Sequence, residues 1–428
     1  MMTGRLPLLL PLAALLLAAG CSGDDGSSPP PTGTLRGTVT DLRNGQPLSG
    51  ARVIISEAVT NSPLGSLSTG VDGVFTVELS PGSYTVKVSR QGFDPVPPQG
   101  IDPLPVAVAA GQTAPWSGRM SPTSVANGGW ISGRVTSGGN GVAGILVAAE
   151  SRVAGYSTLT DGVGNYWLYN VPADSYAVRA QKSGLASPLV PVRVQASVEV
   201  PNVNLAVSAA SSGAVGGHVT FLSTTNAEVD VTLLNPLSGE PVPGLSAPTV
   251  GQNYTIVSVP PGTYLARASY RNDGKVMDPD WVVKNGQPTV TVGVDTVDRD
   301  FSLTGAVELV SPTNAASSTQ PLAVQGVLPV FSWSPYSSAD DYVVEVTDQS
   351  GRVIWGGFSD NWTVRRVVVP RTSTSIRYNA DSTASESLQV GRMYRWRIYA
   401  SKNDSREPTG WKLISASEEQ RGLISIVQ

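Results

Sequence analysis

The sequence predicts an all-β protein: a string of four Greek-key β-sandwich domains behind a signal peptide and a disordered tether. Three observations predict it. Apolar and polar residues alternate with period two over many short runs, the pattern of half-buried strands. Turn residues punctuate those runs, with 45 glycines and 33 prolines among 428 residues. One phrase of turn, strand, turn and strand occurs three times. A chain of this length is too long for one domain and suits three or four.

The N-terminus reads as an export signal over residues 1–20. Arg5 supplies a positive charge, and Leu6–Leu17 is an apolar run too short to span a bilayer comfortably. Leu17-Ala18-Ala19-Gly20-Cys21 then resembles a bacterial lipobox, in which the Cys becomes the first residue after cleavage. The resemblance implies lipidation of Cys21 and a membrane attachment through that anchor. Several acyl chains on one residue make it stable, at about 0.8 kcal/mol per buried methylene. In lipoproteins of Gram-negative bacteria an Asp after the Cys holds the protein at the inner membrane. Ser22 stands there, which implies the outer membrane or cell surface. Residues 21–32 continue as a Gly-, Ser- and Pro-rich tether with nothing apolar to bury. It reaches roughly 20 Å as a coil and up to about 35 Å extended. Asp24 and Asp25 within it read as solvating charges rather than a calcium site.

The repeated phrase is clearest at Thr69–Val86. Asp72-Gly73 is a turn pair, Phe75, Val77 and Leu79 alternate with Thr76 and Glu78, and Pro81-Gly82 turns the chain into Tyr84, Val86 and Val88. It returns over Thr160–Val178 with Asp161-Gly162, Tyr166, Pro172 and Tyr176. It returns again over Val250–Leu265 with Gly251, Tyr254, Pro261-Gly262 and Tyr264. Gly37 to Tyr84 is 47 positions, Gly133 to Tyr176 is 43 and Gly217 to Tyr264 is 47. Repeats this long are whole domains in an array rather than turns of a solenoid. We place them at 33–120, 128–208 and 213–304.

This pattern resembles the carboxypeptidase regulatory-like domain, a transthyretin-like β-sandwich. The first repeat carries the whole family phrase through Gly37, Val39, Asp41, Gly45, Pro47, Leu48, Gly50, Ala51, Val53, Asp72, Gly73, Phe75, Pro81, Gly82 and Tyr84. The second replaces the Pro-Gly step with Pro172-Ala173-Asp174, and the third lacks the Asn-Gly hairpin. The resemblance implies roughly seven strands in two sheets per repeat. It implies no peptidase activity, because the zinc catalytic domain that precedes this module in metallocarboxypeptidases is absent.

Residues 306–428 change character. Phe331-Ser332-Trp333-Ser334-Pro335, then Tyr342–Val346, then Leu388–Ala400 resemble a fibronectin type III-like sandwich. The resemblance makes Trp333 the early core tryptophan and Tyr394 the ring of a tyrosine corner. By parity Tyr394, Trp396 and Ile398 share one strand face, and Arg395, Arg397 and Tyr399 the other.

Composition narrows the function classes. A net charge of -4 does not favour nucleic acid binding. One Cys and one His leave no disulfide framework and too few ligands for a Cys/His metal site. His218 reads as a surface strand residue. No phosphate-binding loop occurs, and no nucleophile elbow or dinucleotide fingerprint precedes a helix, so no catalytic residue, cofactor or metal is expected. The pointed hint is Tyr166-Trp167-Leu168-Tyr169. Parity sends Tyr166 and Leu168 to the core, leaving Trp167 and Tyr169 outward as a candidate ligand platform for a sugar ring or an aromatic partner. The alternative is packing against a neighbouring domain. Trp116 and Trp130 flank the first linker and read as interdomain packing. Arg365, Arg366, Arg371 and Arg377 read as a solvated face. The expectation is a rod roughly 120 Å long, at about 30 Å per domain. Its role is that of a non-enzymatic spacer and binding module, engaging a polysaccharide or an envelope protein. The alternatives are a structural subunit of an envelope complex and, more weakly, an accessory protein of a hydrolase system.

Overall fold

The structure is a computed structural model that describes residues 31–58, 63–99, 103–268, 274–315 and 320–428. The expected signal peptide, Cys21 and nearly all of the expected tether lie outside the described residues. Strands dominate, and the described residues contain a single short helix, Pro279–Asn285.

The three repeats share one topology, which is why one phrase of sequence serves all three. In the first, Gly33–Asp41 lies between Val74–Leu79, to which it is antiparallel, and Thr113–Met120, to which it is parallel. The facing sheet runs Pro63–Ser68, Arg52–Glu57, Gly82–Arg90, Phe93–Val96. In the second, Gly129–Ser137 takes the central place beside Asn165–Val171, and Leu146–Glu150 with Ser175–Lys182 form the middle of the facing sheet. In the third, Gly213–Phe221 pairs with Asn253–Val259, opposite Asp230–Leu234 and Gly262–Ala268. The inward-facing residues of each alternation fill the space between sheets. Phe75, Tyr166 and Tyr254 are buried at equivalent places in three separate cores.

Two local devices explain the repeated phrase. The tyrosine after each tight turn donates its hydroxyl to the carbonyl four residues back: Tyr84 to Ser80 at 2.6 Å, Tyr176 to Pro172 at 3.0 Å and Tyr264 to Pro260 at 2.7 Å. Each ring thereby fills the core while its polar end satisfies the turn. The other device is a left-handed residue whose carbonyl accepts from the opening strand. Gly73 accepts from Val39 N, Gly164 from Val135 N and Gln252 from Val219 N. A Cβ at Gly73 or Gly164 would fall 2.5 Å from the carbonyl oxygen of Val39 or Val135. In the second repeat this glycine is Gly164, not the Gly162 of the Asp-Gly pair. Asp161 instead caps the turn, its Oδ1 accepting from Val163 N and Asn165 N.

The fourth sandwich pairs a small sheet, Leu309–Ser311, Val330–Trp333 and Ser375–Arg377, with a larger one built on Met393–Asn403 and Asp341–Asp348. Phe331 stacks on Trp396 at 4.8 Å and Trp333 meets Tyr342 edge-on at 5.3 Å, filling the core with aromatic rings. Tyr394 accepts the Gln389 N–H at its hydroxyl, 2.9 Å away. Trp116 does not bridge domains. It is buried in the first core against Phe75, 5.8 Å away.

The extended rod is not what forms. The first sandwich touches all three others. Asn170 of the second grips the 90–93 turn of the first. Lys87 pairs with Glu240 of the third at 2.7 Å, and Arg392 of the fourth donates to the Pro122 carbonyl at 2.7 Å. Third and fourth join through the helix, where Asp280 accepts from Leu413 N at 2.9 Å and Lys284 pairs with Glu407 at 2.9 Å. Composition and periodicity set each sandwich, but the polar loop and edge residues that fold the string back carry no periodic signal.

Candidate functional site

The candidate platform sits on strand Asn165–Val171. Parity holds: Tyr166 and Leu168 are buried, and Trp167 and Tyr169 point the other way. The surface they point to is not free. Trp167 and Tyr169 are half-buried, and the Arg52 guanidinium of the first sandwich lies over the Trp167 ring, 3.3 Å from its centroid. A cation on an aromatic face is attracted by the ring quadrupole, and a partly desolvated one gains about 1–2 kcal/mol. Asp161 holds the same guanidinium from the side at 3.9 Å and accepts from the Ser66 hydroxyl at 3.1 Å. The open, flat platform is therefore corrected to a wall residue of a seam, because another domain covers the ring.

A β-bulge shapes that seam. The register of Asn165–Val171 against Gly129–Ser137 shifts between Leu168 and Val171, and Asn170 takes a left-handed conformation (φ 57°). Asn tolerates this region better than most residues. The bulge aims its side chain out of the sheet, where Nδ2 donates to the Arg90 and Phe93 carbonyls at 3.2 and 2.6 Å and Oδ1 accepts from Gly92 N at 2.7 Å. Ser258 occupies the same bulge in the third sandwich (φ 57°), and its carbonyl accepts from Gly184 N of the second at 2.7 Å. One local irregularity thus makes two successive domain junctions. Nothing in the Trp-Leu-Tyr-Asn run singles out Asn170, since its partners lie about 80 positions away.

The seams enclose a chamber of about 710 Å³ lined by residues of all four sandwiches. Trp167, Tyr169, Tyr156 and Phe93 supply aromatic wall on one side. Arg267, Arg395 and Glu419 supply charge on another, and Asp94 and Asp348 line a third part near the junction of the first and fourth sandwiches. Burial pushes the Asp94 carboxyl up to about 6, with Asp348 adding to the rise and Thr123 and Arg392 opposing it. Its Oδ2 has no hydrogen-bond partner among the described residues.

The other expected residues stand apart from this chamber. His218 is exposed, its Nδ1 3.1 Å from Asn253 Oδ1. Of the four arginines, Arg365 is half-buried, paired with Asp341 at 2.5 Å, while Arg366, Arg371 and Arg377 are exposed. Cys21 lies outside the described residues. Among the described residues no group of three or more His, Cys, Asp or Glu is placed to hold a metal ion, and no helix is long and apolar enough to cross a membrane.

A family model described as the carboxypeptidase regulatory-like domain matches residues 34–115 and 130–233, tandem regions that together make up under half of the chain. The first region is the first sandwich; the second runs through the second sandwich into Asp230–Leu234 of the third. No curated protein matches the chain. Among solved structures the chain is similar to the Bacillus anthracis TIE protein at 15% identity, covering 64% of this chain and 51% of that one, with a TM-score of 0.19. The chain thus spans about half the length of that protein. It is also similar to BcpA, the major pilin subunit of Bacillus cereus, at 11% identity over 64% of this chain and 100% of that one (TM-score 0.18). The shaft pilin SpaA of Lactobacillus rhamnosus GG aligns at 11% identity over 42% of this chain and 98% of that one (TM-score 0.19).

Proposed function

We propose that this protein is a non-enzymatic lipoprotein of the cell envelope that acts as a spacer and binding module. In this reading Cys21 carries the lipid anchor at the outer membrane or cell surface, the tether lifts the sandwiches off it, and the four sandwiches act as one body. Its partner is an envelope polysaccharide or an envelope protein. The observation that carries the reading is the chamber shared by all four sandwiches, with Trp167 and Tyr169 in its wall. A site of a few hundred cubic ångströms with aromatic wall and a few convergent polar groups is the usual form of a ligand pocket.

The test is affinity electrophoresis of the Ser22–Gln428 fragment against a panel of polysaccharides and peptidoglycan, with Trp167→Ala/Tyr169→Ala beside it. Retardation of the natural sequence and its loss in the double variant support binding through this wall. Equal mobility in every gel removes the glycan reading. A second reading, a structural subunit of an envelope complex, is favoured by one observation: Arg52 spends the Trp167 face on domain packing. Capture of a single envelope protein on the anchored chain, with no retardation by glycan, would select it.

A further inference from the structure

We propose that the chamber takes the carboxylate of an acidic sugar unit, with Arg395 as its principal cation. This inference rests on the binding-module reading above and names the ligand class.

The argument begins with the strand Met393–Asn403. Its inward face, Tyr394, Trp396 and Ile398, is core. Its outward face, Arg395, Arg397 and Tyr399, would be ordinary solvated surface on an isolated sandwich, but here the third sandwich covers it. Arg267 comes across the seam, and Glu419 lies between Arg267 and Arg397, 3.7 Å from one and 3.6 Å from the other. Arg395 has neither a hydrogen bond nor an ion pair to its guanidinium among the described residues, and its Nε is buried without a partner. Glu345, the other nearby carboxylate, accepts the Tyr399 hydroxyl at 3.1 Å.

Arg395 is therefore the guanidinium of this group without a carboxylate of its own among the described residues. Burial alone would raise the Glu419 carboxyl, yet Arg397, Arg267 and Arg395 together hold it below its ordinary value, so it is committed as an anion to all three. Burial raises the Glu345 carboxyl, which weakens it as the second counter-charge. Arginine keeps its proton throughout. Arg395 thus holds its charge in a walled space, where an unpaired cation is costly and an incoming anion is strongly favoured.

The remaining walls select the kind of anion. The guanidinium fork matches a planar carboxylate in bidentate fashion. Tyr156 and Tyr169, half-buried at the chamber, offer ring faces suited to the apolar C–H face of a sugar. Asp94 also lines the chamber, and its Oδ2, without a hydrogen-bond partner among the described residues, can accept from a sugar hydroxyl. A ligand that carries both a carboxylate and hydroxyls meets both kinds of group, and the volume suits one or two sugar rings.

Calorimetry of the Ser22–Gln428 fragment with digalacturonate, its dimethyl ester and inorganic phosphate tests this. Digalacturonate should bind, with the ester at least tenfold weaker. Arg395→Gln should weaken digalacturonate at least tenfold, and Arg395→Lys should recover part of that loss. Glu419→Gln keeps the side chain's shape and removes the competing carboxylate, so it should tighten binding severalfold even if Arg395→Gln folds poorly. Equal binding of acid and ester, or no effect of both Arg395→Gln and Glu419→Gln, would overturn the proposal. Phosphate binding as tightly as digalacturonate would overturn the sugar assignment. No heat with any probe overturns it too, while retardation by a neutral glycan in that case leaves the binding-module reading standing.

Discussion

Asp94 offers a test of how the sandwiches are joined. It sits on Phe93–Val96 at the junction of the first and fourth sandwiches, its backbone N–H bonded to the Ser121 carbonyl at 2.8 Å. Its carboxyl is pushed by burial from 3.8 to about 6. A rise of about two units corresponds to about 3 kcal/mol of preference for the protonated form in the folded state. The sign follows from proton binding. Below the unfolded value both states hold the proton, and there is no penalty. Between 3.8 and about 6 the folded state holds more protons than the unfolded, so stability falls as pH rises through this window. Above about 6 both states are ionised and the full penalty is in place. Asp94→Asn, which removes the charge and nearly keeps the shape, should therefore match the natural sequence near pH 4 and exceed it by up to about 3 kcal/mol at pH 7. Urea unfolding at half-unit steps from pH 4 to 8, followed by tryptophan fluorescence, measures the difference. Taking the difference between the two proteins cancels the slopes of every other group. A gap that is constant with pH, or an Asn variant less stable at pH 7, would refute the argument that burial at this seam governs the carboxyl.

Asn170→Ala removes three side-chain hydrogen bonds across the first seam and should cost about 2–3 kcal/mol there. Faster hydrogen exchange at Gly92 N, which Asn170 Oδ1 holds at 2.7 Å, reports it, and unchanged protection would exclude Asn170 as the clasp. Gln252 occupies the left-handed position (φ 69°) that is glycine in the other two repeats, so Gln252→Gly should stabilise the third sandwich by about 1 kcal/mol. A thermal melt that does not rise would contradict this. Cys21→Ser should move the full chain from the membrane fraction to the soluble fraction, and a variant that still sediments with membranes would exclude the anchor.

Much of each sandwich was legible because the governing interactions are local. Alternation along Val74–Leu79 and its counterparts states which side chains face the core, and a tyrosine just after a tight turn can bond its hydroxyl back to the carbonyl four residues before it. The face of Trp167 was legible for the same reason. What lies on that face was not. Arg52 is 115 positions away, and the side-chain period of a strand tells a face from its opposite without telling solvent from a second domain. The same limit hid the Arg395 cluster, whose parity was clear but whose third guanidinium and shared carboxylate arrive from Arg267 and Glu419.

By itself, then, the amino-acid order determined three copies of one sandwich, a fourth of different pattern, and the buried and outward face of each main strand, because strand period and turn chemistry act over a few residues. Only the tertiary structure decided that the string folds back, that Asn170 and Ser258 join neighbours through equivalent bulges, and that outward arginines become the wall of a chamber. Those outcomes depend on contacts between residues tens to hundreds of positions apart, made by single polar side chains that leave no periodic trace.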